Sequence, residues 1–299
     1  MVAALIIASG KTKDRADFEP LKEVGTISAI QRIIRVFQRA GIERIVVVCN
    51  ESEKPGAHMN VVYLPGKAGG QMLDNVKIGL SYLQDQCIAA MITHVAVPLF
   101  SVETVRAMMS SEDGHVCVPI YKGKTGHPLL LRADHFGEVL SYKGDEGLAG
   151  AIRDSGLHRG FIEVKDEGVL ANVEAEGSYG HLLLEHSLRK SSPEIKIQIV
   201  REKPFYGPGA QLLLQMTDET GSLLEACRRM GISYSKGRKI MAVMEQQLGK
   251  PVIESRQGGK DGGYSVVTED GRQLMERYTA FCLEAKQCVE DLFKKHFTL

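Results

Sequence analysis

The strongest constraint on this chain is the order in which apolar runs and amphipathic segments alternate along residues 2–188. Residues 2–8 form an apolar run of strand length. Residues 27–40 then place Ile30, Ile33, Ile34 and Phe37 at helical spacing. Strand-like runs return at 44–49 and 60–64, a helical pattern covers 72–83, and further runs lie at 94–97 and 116–121. Strand, helix, strand in this order predicts an α/β fold with a mostly parallel, doubly wound sheet covered on both faces. Ligands of such sheets sit beyond the carboxyl ends of the strands, which here means the loops 9–20 and 65–71.

The rhythm changes at "RKSSPEIKIQIVREKPFYGPG", residues 189–209, where Ser-Ser-Pro and Gly-Pro-Gly punctuate the chain. Two domains are expected, 1–191 and 192–299, the second mainly α-helical with helices at 210–217, 222–230, 234–248 and 271–296. Six scattered cysteines without a CxxC pair suit a reducing compartment. The first residues are too short an apolar run for a span and lack a basic leader region, so a cytoplasmic protein with no membrane partner is expected.

In the second domain, two helices are joined by a short turn. Ser222 is placed to cap the first, Gly231 fits the turn, and Ile232 would plug between the helices. Ser233 or Tyr234 opens the next helix, whose first turn carries Ser235, Lys236, Arg238 and Lys239. Net charge over the whole chain is zero, yet from Arg228 to Lys260 there are eight Lys or Arg against Glu245 and Glu254. Four glycines around Lys260 and Asp261, between strand-like runs, mark a hairpin tip that brings Arg256 and Lys260 beside the second helix. Helix, turn, helix and basic hairpin in order predict a winged helix-turn-helix gripping double-stranded DNA, with Ser233, Tyr234, Ser235, Lys236, Arg238, Lys239, Arg256 and Lys260 at the interface. In the final helix, Leu274, Tyr278, Phe281, Ala285, Cys288 and Leu292 make a seam able to pair with its own copy.

"TGSLLEACRRMGISYSKGRKIM" followed by "LGKPVIESRQGGKDGGYSVVTEDGRQLMERY" resembles the winged-helix N-terminal domain of ModE, the molybdate-responsive regulators related to the LysR type. The resemblance covers about residues 195–285. It implies DNA binding, a homodimer formed through the last helix, and a link to molybdenum metabolism. Arg238 stands where that family commonly has tryptophan. No segment like the family's molybdate-binding domain follows, so direct molybdate sensing is not expected.

"LIIASGKTKDRADFEPLKEVGTISAIQRIIRVFQRAGIERIVVV", "AVPLFSVETV", "GKTGHPLLLRADHF" and "GDEGLAGAI" resemble the MobA-like nucleotidyltransferases, which include the molybdenum cofactor cytidylyl- and guanylyltransferases. The resemblance implies a nucleotide-diphospho-sugar-transferase-like fold. It places Gly10, Lys11 and Arg15 near phosphates, Gly69, Gly70 and Asn75 along a nucleotide, and Gly126 and His127 near a second substrate. The family's chemistry is incomplete here: its arginine position is Asp14, its phosphate lysine position is Glu19, and its metal-ligating aspartate position is Ala96. A carboxylate at Glu19 repels a triphosphate, and alanine cannot ligate magnesium. A later aspartate motif reads Asn172-Val173-Glu174, leaving Glu174 as a metal ligand only if the enzyme works.

The expectation is therefore a transcriptional regulator whose first domain binds a small ligand, a nucleotide or a molybdopterin-related molecule, without turning it over. No cofactor is required. The alternative is an active, Mg2+-dependent CTP- or GTP:molybdenum cofactor nucleotidyltransferase with the winged helix as an accessory.

Overall fold

The computed structural model describes residues 1–10, 21–50, 61–67, 69–174, 179–188, 193, 195–256 and 264–297. It contains two compact units, one built from Met1–Pro55 and Val61–Arg189 and the other chiefly from Lys190–Leu299. The expected boundary at 191/192 lies outside the described residues.

The first unit runs β1 (Val2–Ile7), β2 (Glu23–Val24), β3 (Ile27–Ser28), α1 (Ala29–Ala40), β4 (Arg44–Cys49), β5 (Val61–Pro65), α2 (Met72–Leu83), β6 (Ala89–His94) and α3 (Val102–Met109). It continues with β7 (Val116–Tyr121), β8 (Lys124–Thr125), β9 (Leu129–Arg132), α4 (Phe136–Ser141), α5 (Gly147–Asp154), β10 (Arg159–Glu163) and α6 (Gly180–Leu188). The sheet order is β10-β7-β9-β6-β1-β4-β5, with β8 appended to β7. β1 lies parallel to β4 and β6, β4 to β5, and β7 to β10. β9 is antiparallel to both its neighbours, so the sheet is mixed.

Local chemistry explains the central layers. Ala3 to Ile7 of β1 and Ile45 to Cys49 of β4 are at most 1 % exposed, as expected of strands covered on both faces. Ser28 starts α1 with a reciprocal capping box to Gln31, and Gly41 ends it in the left-handed region. Ile30, Ile33, Ile34 and Phe37 are buried on the face of α1 that packs inward. Helix α2 comes so close to β1 that a Cβ on Gly79 would stand 2.2 Å from Leu5 Cδ1.

Two expectations need correction. The strand placed at 94–97 is β6, Ala89–His94, and residues 95–99 form the loop after it. Apolar residues continue past Thr93 and His94 to Phe100, so periodicity could not locate the strand end. Strands β9 and β10 were not expected: β9 has only four residues, and β10 is an edge strand whose exposed Phe161 disguises its inner face.

The second unit contains β11 (Ile199–Val200), β12 (Pro204–Tyr206), α7 (Pro208–Thr220), α8 (Leu223–Arg229), α9 (Tyr234–Leu248), β13 (Ile253–Arg256), β14 (Tyr264–Val267) and α10 (Glu269–His296). β13 and β14 form an antiparallel hairpin in continuous register from Ile253–Val267 to Arg256–Tyr264. Its glycine-rich tip, residues 257–263, lies outside the described residues. Ser222, Ser233 and Thr268 each accept a backbone N–H as N-caps of α8, α9 and α10. Gly231 takes φ 65° in the turn before α9, the conformation that only glycine adopts without strain.

The seam expected along α10 divides in two. Tyr278 is buried within its own unit, with its ring 5.0 Å from that of Tyr206 and its hydroxyl donating to the Ile197 carbonyl. Beyond it Phe281, Leu283, Leu292 and Phe297 are exposed. Among the described residues no helix is long and apolar enough to cross a membrane.

Candidate functional site

In the first unit the candidate residues gather at the carboxyl ends of β1, β5 and β6. Asn75, in the first turn of α2, is fully buried. Its Nδ2 donates to the Ser9 carbonyl at 2.8 Å and lies 3.0 Å from Ser9 Oγ. Its Oδ1 accepts the Lys67 N–H at 2.9 Å. One amide thus ties the loop after β1 and the loop after β5 to α2. Gly10 and Gly66 permit this. A Cβ on Gly10 would stand 2.9 Å from Asn75 Nδ2, and one on Gly66 would stand 2.4 Å from Ser9 Oγ. Gly10 also takes φ 112°. Gly70 donates to the Lys67 carbonyl, and Lys67 pairs with Asp74 at 3.3 Å, closing the turn that contains Gly69. Of the residues expected near phosphate, Gly10 is in this group; Lys11 and Arg15, with Asp14 and Glu19, lie outside the described residues.

A second cluster adjoins it. Ala96 is 1 % exposed and Val97 3 %. The Val173 N–H donates to the Ala96 carbonyl at 2.8 Å, and Glu174 is the next residue after Val173. The metal site that the sequence resemblance implies would not fit Ala96, which offers a methyl group where an oxygen donor would be needed. Among the described residues no group of three His, Cys, Asp or Glu is placed to hold a metal ion.

Gly126 packs under the loop 167–170, where a Cβ would stand 2.5 Å from the Val169 carbonyl. The same carbonyl accepts the His127 N–H at 2.8 Å. The His127 side chain then meets His94 edge to face, with ring centroids 4.6 Å apart. Burial pushes the His127 imidazole down to about 4. His94 was not singled out from the sequence, since one histidine ending an apolar run carries no local signal of a partner 33 positions later. Ser9 and Lys67 were missed for the same reason.

In the second unit the candidate face is the start of α9. Ser233 Oγ caps the helix by accepting the Lys236 N–H at 3.2 Å, so this hydroxyl sets geometry. Tyr234, Ser235, Lys236, Arg238 and Lys239 are exposed. Gly237, between them, faces inward, and a Cβ there would stand 2.2 Å from Cys227 Sγ of α8. That close approach turns the neighbouring cations outward.

The local basic surplus is reduced by pairing. Arg228 and Arg229 both reach Glu225 at 2.8 Å, and Arg228 is the main cause holding the Glu225 carboxyl down to about 2. Lys250 pairs with Asp270 at 2.9 Å. Glu225 lies just outside the stretch over which charge was counted, which is why its clamp on two arginines was not foreseen. Lys236, Arg238 and Lys239 make no ion pair among the described residues. The side chain of Arg256, and Lys260 altogether, lie outside them.

Among solved structures, the chain is similar to the Mycobacterium sp. strain JC1 homologue of Mycobacterium tuberculosis Rv0371c, with TM-score 0.50, 17 % identity, and 62 % of this chain and 96 % of that one covered. It is likewise similar to a nucleotidyl transferase from Methanothermobacter, with TM-score 0.50, 16 % identity, and 62 % and 98 % covered. At such identities the likeness shows the fold alone, a mixed α/β sheet with helices. A stretch of 84 residues is 37 % identical to the molybdenum-pterin-binding protein MopB of Rhodobacter capsulatus, spanning 27 % of this chain and 31 % of that protein. Residues 4–160 match the MobA-like NTP transferase domain, and with more than half of its length inside that match the chain belongs to the MobA-like NTP transferase family.

Proposed function

We propose that this protein is a cytoplasmic, homodimeric DNA-binding regulator of molybdenum or molybdenum-cofactor metabolism. In this reading the MobA-like unit binds a small ligand that it does not turn over, and the second unit is a winged helix. The observation that carries it is the trio Lys236, Arg238 and Lys239. With Arg228, Arg229 and Lys250 assigned to carboxylates, these three are exposed and make no ion pair among the described residues, on the opening turns of one helix. A helix presented this way, capped by Ser233 and followed by the β13–β14 hairpin, suits a duplex groove with the hairpin on adjacent phosphate. The partial likeness to a molybdenum-pterin-binding protein supports the pathway. The exposed apolar residues of α10 beyond Tyr278 support pairing with a second copy.

The ligand reading is supported by a site that keeps its glycine turns and its Asn75 staple while presenting Ala96 at the metal position. The alternative, an active transferase, would need Mg2+ held without that carboxylate. Duplex DNA titrated into the full-length protein at low salt tests the regulator, with binding in the submicromolar range expected. Steady release of pyrophosphate from MgCTP or MgGTP with molybdenum cofactor present as the acceptor, and no DNA binding, would reverse the assignment.

A further inference from the structure

Strand β10 closes one end of the sheet in the first unit and pairs on one side only, with β7. The bonds of its inner side define its outer one. The His158 carbonyl accepts from Val116, and the Val164 N–H donates to the Ile120 carbonyl. Backbone groups alternate sides along a strand, so the even-numbered residues from 158 to 164 bond to β7. Arg159, Phe161 and Glu163 therefore direct their N–H and C=O groups away from it. Among the described residues these outward groups make no hydrogen bond. The side chains of the same three residues are exposed, Phe161 to 49 %, and Phe161 has the half-buried Val118 beside it on β7. Arg159 and Glu163 make no ion pair among the described residues. Native proteins usually shorten, bulge, cover or proline-block such an edge. β10 instead keeps five residues in unbroken register with β7 and contains no proline.

We infer that the outer edge of β10 is an interface for a second copy of this chain, the two strands running antiparallel about a two-fold axis at Phe161. The sequence Arg-Gly-Phe-Ile-Glu is self-complementary in that arrangement, because its opposite charges stand equally far from the central phenylalanine. Phe161 faces Phe161 of the copy, and Arg159 faces Glu163 of the copy on both sides of the axis. Every member of these pairs has its backbone groups pointing outward, so each pair exchanges N–H···O bonds as a directly opposed antiparallel pair does. Aromatic and opposite-charge pairs across strands add to the stability. Other registers lose these terms. A slip of one residue opposes outward groups to inward ones, and a slip of two leaves each Arg159 without its Glu163. Parallel pairing in register sets like charges side by side. An interface of this kind is isologous and closes as a pair. It lies on the first unit, is separate from the apolar residues of α10, and does not depend on the DNA or ligand readings.

The test is hydrogen exchange read by mass spectrometry on the full-length protein over a series of protein concentrations, with sedimentation velocity alongside. Peptide 157–165 should gain protection as concentration rises, because the amides of Arg159, Phe161 and Glu163 are solvated in the single chain and bonded in the pair. Glu163→Arg sets arginine against arginine on both sides of the axis and should move the concentration midpoint up by about tenfold. Arg159→Glu should do the same. The Arg159→Glu/Glu163→Arg variant, with the charges exchanged, should bring the midpoint back, a recovery that a merely misfolded single variant does not explain. Protection of 157–165 that stays constant up to submillimolar protein would overturn the inference. So would an unchanged midpoint in both single variants, or no recovery in the double variant. Phe281→Glu on α10 separates the two surfaces. If it abolishes the protection of 157–165 while Glu163→Arg leaves it intact, association belongs to α10 and the inference is overturned. If the protection persists in Phe281→Glu, the β10 interface stands whatever becomes of α10 pairing.

Discussion

Replacing Asn75 by alanine tests how the first unit's site is held together. The side chain makes two bonds to the Ser9 carbonyl and Lys67 N–H, at 2.8 and 2.9 Å, and a third contact to Ser9 Oγ at 3.0 Å. Each bond is worth about 1 kcal/mol net, and a buried group left without a partner costs about 1–3 kcal/mol. Ser9 is itself 2 % exposed, so its carbonyl cannot turn to water. Allowing for partial relaxation of the Lys67 loop, Asn75→Ala should destabilise the first unit by about 2–4 kcal/mol. Asn75→Asp should cost at least as much, because a carboxylate oxygen would replace the donor that faces the Ser9 carbonyl. Hydrogen exchange read by mass spectrometry on peptides 2–10 and 61–83 separates this loss from any change in the second unit. Protection there should fall by at least tenfold, while peptides from α8 and α9 keep theirs. A loss below 1 kcal/mol, or equal loss in both units, would refute the staple.

Two further outcomes follow from the geometry. Gly237→Ala alone should overpack α8 against α9 by about 1–3 kcal/mol, less the roughly 1 kcal/mol helix gain of alanine over glycine. In a Cys227→Ala background the same change should become stabilising, so the two sites must show a coupling of at least 1 kcal/mol by urea denaturation. For pH, the His127 value of about 4 lies below the ordinary 6.5 of the unfolded chain. Both states are neutral above pH 6.5. As pH falls towards 4 only the unfolded chain gains the proton, so the native state loses up to about 3 kcal/mol. Melting temperatures from pH 7 to 4.5 should therefore drop less steeply in His127→Phe than in the wild type.

Much of the architecture is legible from the residues, and the failures have physical causes. The start of α9 could be read because Ser233 is a local signal that acts within one turn. The end of β6 could not, because burial on both faces removes the alternation that marks a strand's limits. The site itself is built from non-local bonds. Asn75 was singled out as a residue, yet its partner Ser9 is 66 positions away, and the His94–His127 pair joins the end of β6 to the residues just before β9, a strand that was not expected. In the second unit the positions of Lys236, Arg238 and Lys239 were legible from the capped helix. Which cations remain free was not, because that depends on Glu225 and Asp270 reaching back to them.

The most direct test of the central claim is the salt dependence of duplex binding by the wild type and by the Lys236→Ala/Arg238→Ala/Lys239→Ala variant. Each lost phosphate contact flattens the slope of log Kobs against log salt by about 0.9, so the variant should lose up to about 2.7 per bound chain, with affinity falling most at low salt. Equal slopes for the two proteins would show that α9 does not face the polyanion and would contradict the assignment.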